Sequence, residues 1–405
     1  MNYDQIIANT VKKNNSTIVL VVMDGLGDIR SPKFENKTPL EYAKTPNLDK
    51  LAAASAVGRC IPILPGITPG SGPGHLSLFG YDPLTCTIGR GVLEAIGLGF
   101  EIKPGDIAAR CNFASMDENG LISDRRAGRI PTETTVELCN LLKEIQEIDG
   151  VEIIIEPGKG HRFVTVFRSK KKELGAFIND TDPFREGKAP LEAKGQNPPS
   201  QFLAGIVNKF IKEGHKRLKD KKPANAFLMR GFSAKPKVPS MRDKYLLESA
   251  AIASYPMYRG IASLLGMHLL PAPDSIENLF QTYVKYRQKY DFFFIHIKGT
   301  DQAGEDGDFE SKVSCIEKVD QALPILLEHK PEVLAITGDH SSPCAMRSHS
   351  WHPVPVLIHS QFCGVDDVQV FHENACNTGG LGFFESKYLM GLLLSNAKRL
   401  DKFGA

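Results

Sequence analysis

Short runs of consecutive apolar residues recur near both ends of the chain. Ser16–Met23 (STIVLVVM), Asp291–Ile297 (DFFFIHI) and Glu332–Thr337 (EVLAIT) are each about one strand long and apolar on both faces. Such runs predict strands buried on two sides, as in a parallel sheet covered by helices. Helices are expected between them. One starts at Pro46 behind the cap Thr45, and others cover Glu248–Leu265, Ser275–Gln288 and Phe309–Glu328. Further strands are expected at Ala56–Ile63, Gly266–Leu270 and Pro353–Ile358, and a closing helix at Ser386–Leu394.

Between about residues 80 and 240 the pattern changes. Ile107–Phe113 and Gly120–Ile122 predict a hairpin, followed by a helix near Pro131–Ile148. Val151–Ile155 and Arg162–Arg168 read as paired strands, and Gln196–Gly214 as a helix with a lysine-rich tail. The simplest organisation is one α/β domain with a mostly parallel sheet, residues 1–79 and 241–405. A mixed α+β domain with mostly antiparallel pieces, residues 80–240, is inserted into it.

Composition narrows the class. Hydrophobic residues make up 42% and charged residues 24%, as in a soluble globular protein. The net charge of +2 gives no bulk case for a nucleic-acid or membrane partner. No apolar run reaches the length of a membrane span, and Met1–Ser16 lacks the apolar core of a signal peptide. The eight cysteines are scattered without a Cys-x-x-Cys pair, which suits reduced thiols in the cytoplasm.

Candidate chemistry stands where the buried strands end. The first runs into Asp24-Gly-Leu-Gly-Asp28, the second into Lys298-Gly-Thr-Asp301-Gln-Ala-Gly-Glu305, and the third into Gly338-Asp339-His340. His349 and His352 come shortly after. Parallel strands bring their carboxyl ends to one sheet edge, where open α/β sheets hold ligands. Each piece has a structural alternative: a turn aspartate, a solvated acidic loop over Asp301–Asp308, a helix cap, surface histidines. Together they suit divalent cations, which take mixed carboxylate and imidazole ligands. Two such ions about 4 Å apart clamp the oxygens of a phosphoryl group. Thr68-Pro-Gly-Ser-Gly-Pro-Gly-His75 adds a serine between glycines, just ahead of a helix-like run from Leu76 to Phe79. A metal there would activate Ser71 without a histidine base.

These stretches, with Lys37-Thr-Pro-Leu-Glu-Tyr-Ala-Lys-Thr-Pro-Asn-Leu-Asp49, Ile88-Gly-Arg-Gly-Val-Leu-Glu94 and His349 before Pro353-Val-Pro355, resemble the archaeal-type cofactor-independent phosphoglycerate mutases. That family belongs to the alkaline phosphatase superfamily. The resemblance spans nearly the whole chain in unbroken order. It implies an alkaline-phosphatase-like α/β domain with two metal ions and an inserted transferase domain. It also implies interconversion of 3- and 2-phosphoglycerate in glycolysis and gluconeogenesis, through a phosphoserine and without 2,3-bisphosphoglycerate. Ser71 then matches the nucleophile. Asp24, Ser71, Asp339 and His340 match the ligands of one metal, and Asp301 and His349 two ligands of the other. His352 matches no ligand. Where relatives commonly carry Asp-x-x-x-His, this chain carries Asp301-x-x-x-Glu305. A carboxylate there favours Mn²⁺ or Mg²⁺, with Co²⁺ or Zn²⁺ as alternatives.

A mutase must also hold the glycerate carboxylate, and guanidinium groups do so in bidentate fashion. Asp124-Arg125-Arg126-Ala-Gly-Arg129 is the first candidate and His161-Arg162 the next. Lys298 is placed to reach the phosphate; Arg230 and Arg259 are looser candidates. Asp124 or Asp182 is the candidate proton carrier. Three alternatives use the same motifs: a metal-dependent phosphatase or phosphodiesterase, a small-molecule kinase-like phosphotransferase, and a binding protein with a decayed site. The oligomeric state is not encoded in any of these features.

Overall fold

The structure is a computed structural model and describes residues 1–86 and 88–404. It divides into two units, Met1–Thr87 with Val238–Ala405, and Ile88–Lys237. The first opens with β1 (Ile18–Met23) and β2 (Ala56–Ile61). The second contributes β3 (Ile107–Met116), β4 (Ile122–Asp124), β5 (Glu147–Ile148), β6 (Val151–Pro157), β7 (Arg162–Arg168) and β8 (Ala226–Ala234). The chain returns to the first unit with β9 (Ser249–Ile252), β10 (His268–Leu269), β11 (Phe292–Ile297), β12 (Val333–Thr337), β13 (Val354–Ser360) and β14 (Gly382–Glu385).

The sheet of the first unit runs β10-β9-β11-β1-β12-β13-β2-β14. Every neighbouring pair is parallel except the two made by β13. This is the mostly parallel α/β sheet expected. The cause is visible in β1, β11 and β12, where no residue is more than 4% exposed. Only a strand covered on both faces tolerates such a run. Strand register fixes where the functional side chains emerge. Met23 lies beside Ile297 and Val22 beside Thr337. Asp24, Lys298 and Gly338 therefore leave three adjacent strands at one edge.

The second unit is wholly antiparallel, β4-β3-β7-β6-β5 with β8 on the other side of β3. One face packs Phe113, Phe163 and Phe227 against the helices Thr132–Leu142 and Pro198–Leu218. On the other, Ala108, Val164 and Val166 meet Val92 and Ala95 of the helix Arg90–Gly97.

Several boundaries differ from expectation. Glu248–Leu265 is not one helix: it holds β9 and then a helix over Pro256–Leu264. Four residues, Ser-Ala-Ala-Ile, are too few to show a strand by periodicity. Asp301, for which a solvated loop was the structural alternative, lies on a helix, Gly299–Asp306. The helix after the serine loop begins at Ser71, not Leu76. Near residue 131 the helix stops at Leu142 and Glu147–Ile148 becomes β5. Strands β8 and β14 and the helix Arg90–Gly97 were not anticipated.

One buried ion pair braces the sheet edge. Lys312, on the helix Phe309–Glu328, is wholly buried. Its ammonium donates to Asp28 Oδ2 at 2.8 Å, to the Ser342 carbonyl at 2.9 Å and to the Gly27 carbonyl at 3.2 Å. All three of its protons are thereby used. Removing one partner of such a pair strands the other charge. Lys312→Met is expected to cost about 3–5 kcal/mol of stability, read as a lowered unfolding midpoint. Adding Asp28→Asn to it should recover part of the loss; a further drop would contradict the pairing.

Candidate active site

The first unit supplies a cluster of acids and imidazoles. Asp24 follows β1 directly, and Gly25 turns the chain with φ +64°. A Cβ there would lie 2.8 Å from Asp301 Oδ1, so only glycine permits this turn. Ser71 is the first residue of its helix, behind a Gly70 cap without a side chain. Pro73 is tolerated because the first-turn N–H groups have no partner in the helix. Gly74 lets this helix pass Asp339, whose carbonyl oxygen would be 2.6 Å from any added Cβ.

The atoms converge on His340 Nε2. Asp24 Oδ1, Asp339 Oδ2 and Ser71 Oγ each lie 3.3 Å from it. Asp24, Asp339 and His340 are wholly buried, yet those two carboxylate oxygens accept no hydrogen bond among the described residues. On the other side, Asp301 Oδ1 lies 3.9 Å from His340 Nε2 and 3.6 Å from His349 Nε2. The His340 and His349 rings stack with centroids 3.7 Å apart. Two groups of potential ligands result: Asp24, Asp339 and His340, and Asp301, His340 and His349. Buried carboxylate oxygens with unused acceptor capacity facing imidazole nitrogens fit divalent cations. Glu305, one helical turn after Asp301, brings Oε1 to 3.6 Å from His349 Nε2 but belongs to neither group. His352 bonds Ser350 and stays apart.

Positive charge stands close to Asp24. Burial pushes the Asp24 carboxyl up, but the neighbouring imidazoles of His296 and His340 and the charge of Lys298 outweigh it and hold it well below the usual range. Lys298 bonds Asp24 Oδ2 at 3.0 Å and also reaches Asp301 Oδ2. Burial pulls the His349 ring down, yet the Glu305 carboxylate lifts it to about 9. Arg259 bonds the Ala253 carbonyl.

Sequence reasoning missed an inner layer. His75 donates to the Ser71 carbonyl at 2.8 Å and stands 3.0 Å from Asp339 Oδ2. His296 Nε2 lies 3.2 Å from Asp24 Oδ2, which also accepts from Tyr258. Two signals were present: His75 stands one helical turn after Ser71, and His296 interrupts an apolar strand. Tyr258 gave none.

The second unit gathers arginines. Arg110 lies opposite Arg230, and Asn112 opposite Arg162, so all four share one face of the sheet. Arg125, Arg126 and Arg129 line a cavity of about 360 Å³ with Asp124 and Glu186. The turn is tight: Ala127, Gly128 and Arg129 all have positive φ, and Asp124 accepts from the N–H groups of Arg126 and Gly128. Asp124 thus anchors the turn. Asp182 is wholly buried and grips Arg125 through both oxygens, at 2.7 and 2.8 Å. Burial pushes its carboxyl up, but Arg125 and Arg230 hold it low. It orients Arg125.

Similarity to known proteins defines the class. A model of the 2,3-bisphosphoglycerate-independent phosphoglycerate mutases matches residues 52–225. A probable enzyme of that name from Aquifex aeolicus is 51% identical over 99% of this chain and all of its own length. One from Thermotoga neapolitana is 47% identical over the whole of both chains. A solved cofactor-independent phosphoglycerate mutase from Thermoplasma acidophilum is 31% identical, with TM-score 0.71 over 94% of this chain and 100% of its own. A solved Pyrococcus horikoshii protein is 30% identical, with TM-score 0.84 over 97% and 100%. The chain belongs to the 2,3-bisphosphoglycerate-independent phosphoglycerate mutase family. Among the described residues no helix is long and apolar enough to cross a membrane.

The arginine cluster makes a prediction of its own. Burial, then Arg162, Arg110, Arg126 and Arg129, push the His161 ring down to about 4. The folded value lies below the ordinary one of about 6.5. The stability this neutral histidine contributes is therefore full above about pH 6.5 and lost as the pH falls through 4. By NMR the ring should titrate near 4 in anion-free buffer, and inorganic phosphate should raise that midpoint. An ordinary midpoint indifferent to phosphate would remove His161 from the cluster.

Proposed function

We propose that this chain interconverts 3-phosphoglycerate and 2-phosphoglycerate, without 2,3-bisphosphoglycerate, through a phosphoserine at Ser71. Family membership supports the reaction. The observation that carries the mechanism is the pair of buried, unbonded oxygens of Asp24 and Asp339 beside His340 Nε2 and Ser71 Oγ. In this reading Asp24, Ser71, Asp339 and His340 hold one divalent ion, and Asp301, Glu305 and His349 the other. Bound ions there supply Lewis acidity, which lowers the pKa of the serine hydroxyl and neutralises phosphoryl oxygens.

The chain's own residues do the rest. Ser71 Oγ forms a bond to phosphorus as the bond to one glycerate oxygen breaks, and the proton given up by the serine hydroxyl ends on that oxygen. The second transfer reverses this onto the neighbouring hydroxyl and frees Ser71. Arg126, Arg129 and Arg162 bind the glycerate carboxylate, with Arg125 oriented by Asp182 and His161 kept neutral among them. Lys298 supplies positive charge next to the phosphoryl group. Glu305 biases the centre toward Mn²⁺ or Mg²⁺. The setting is cytoplasmic glycolysis and gluconeogenesis.

Two measurements test the reading. The metal-loaded protein, given 3-phosphoglycerate alone, should form 2-phosphoglycerate detected through enolase. Ser71→Ala should lower the rate about 10³-fold or more. Release of inorganic phosphate instead of 2-phosphoglycerate would make it a hydrolase, and a fully active Ser71→Ala would refute the phosphoserine. For the metals, Glu305→His should shift relative binding from Mn²⁺ toward Zn²⁺ in calorimetric titration. An unchanged ratio would place Glu305 outside the coordination sphere.

A further inference from the structure

Ser342 belongs to neither ligand group and has no part in the proposed transfer. It is wholly buried, two residues after His340. Its hydroxyl oxygen lies 2.6 Å from Asp301 Oδ1 and 3.2 Å from His340 Nδ1. One hydroxyl therefore touches an acid from one ligand group and the imidazole shared by both.

Donor counting orders these contacts. Ser342 has a single hydroxyl proton. A carboxylate only accepts, so that proton goes to Asp301. The remaining partner, His340 Nδ1, must then donate to the serine oxygen. A neutral imidazole carrying its proton on Nδ1 leaves the Nε2 lone pair free. That nitrogen is the atom on which Asp24, Asp339 and Ser71 converge.

The backbone of Ser342 is fixed as firmly as its side chain. Its N–H donates to the carbonyls of Gly27 at 3.0 Å and Gly25 at 3.3 Å. Its carbonyl accepts from buried Lys312 at 2.9 Å. The same carbonyl would lie 2.2 Å from a Cβ at position 304, so the Asp301 helix packs directly against this peptide through Gly304.

We propose that Ser342 is a positioning residue. It locks His340 in its Nδ1–H tautomer, orients Asp301, and so couples the two ligand groups through one hydroxyl. The part concerning metals rests on the two-ion reading; the tautomer does not.

Imidazole nitrogen NMR on the metal-free wild-type protein at alkaline pH tests the tautomer directly. His340 should carry its proton on Nδ1; a proton on Nε2 would overturn the inference. In Ser342→Ala the tautomers should mix, and Mn²⁺ titrated by calorimetry should bind about ten- to a hundred-fold more weakly. Ser342→Cys keeps a side chain of the same shape with a weaker donor and should fall between the two. It also provides the reading if the alanine variant does not fold. Unchanged tautomer and unchanged Mn²⁺ affinity in a folded variant would refute the role. Failure of the wild type to bind any divalent ion would sink the two-ion reading and leave the tautomer result standing.

Discussion

Three carboxylates buried together beyond the ends of adjoining strands need compensating partners close by. Asp24, Asp301 and Asp339 are at most 1% exposed. Their mutual repulsion in a water-poor site is the constraint on which the edge of the sheet depends. Lys298 spans two of them, and His75 and His340 border the third. These partners do not use every oxygen. Asp24 Oδ1 and Asp339 Oδ2 lie close to imidazole nitrogens yet accept no hydrogen bond among the described residues, and His340 Nε2, which both approach, also approaches Ser71 Oγ. The charge still unmatched there is the thermodynamic reason a doubly charged ion would bind.

Holding like charges this close needs a rigid frame, and it is built from small residues. Gly25, Gly74 and Gly304 each stand where a Cβ would meet a backbone or carboxylate atom under 3 Å away. They let the β1 turn, the serine helix and the Asp301 helix approach each other closely. Behind them the Lys312–Asp28 pair ties the β1 loop to the Ser342 peptide. Ligand geometry is thus set by backbone contact and buried hydrogen bonds. Long side chains with many rotamers would define it less well.

This division explains what was legible in the sequence. Strands buried on both faces announce themselves as continuous apolar runs, so β1, β11 and β12 and the acids after them were visible. Parallel register then brings those acids together without further information. The short strand β9 and the edge strand β14 lack any comparable run. The helix at Ser71 was hidden by three glycines and two prolines, residues that usually break helices; it forms because tertiary packing against Asp339 outweighs propensity. Tyr258 and Ser342 were hidden for another reason. A residue that orients a ligand has no spacing rule of its own, because its partner is defined only in three dimensions.

The second unit solves the opposite electrostatic problem by a different device. Its arginines come from the face of an antiparallel sheet and from one tight turn, not from strand ends. Cross-strand pairing sets Arg110 beside Arg230 and Asn112 beside Arg162. Like charges opposite one another destabilise a sheet, and Asp180 offsets the Arg110–Arg230 pair from 3.6 Å of Arg230. Asp182 neutralises Arg125 and approaches Arg230 at 3.5 Å. Around His161 the charge balance stays positive enough to hold a buried imidazole neutral. One unit therefore carries an excess of negative charge and the other an excess of positive charge, each held at a cost. Within the second unit, guanidinium groups gathered on one sheet face suit an anionic ligand.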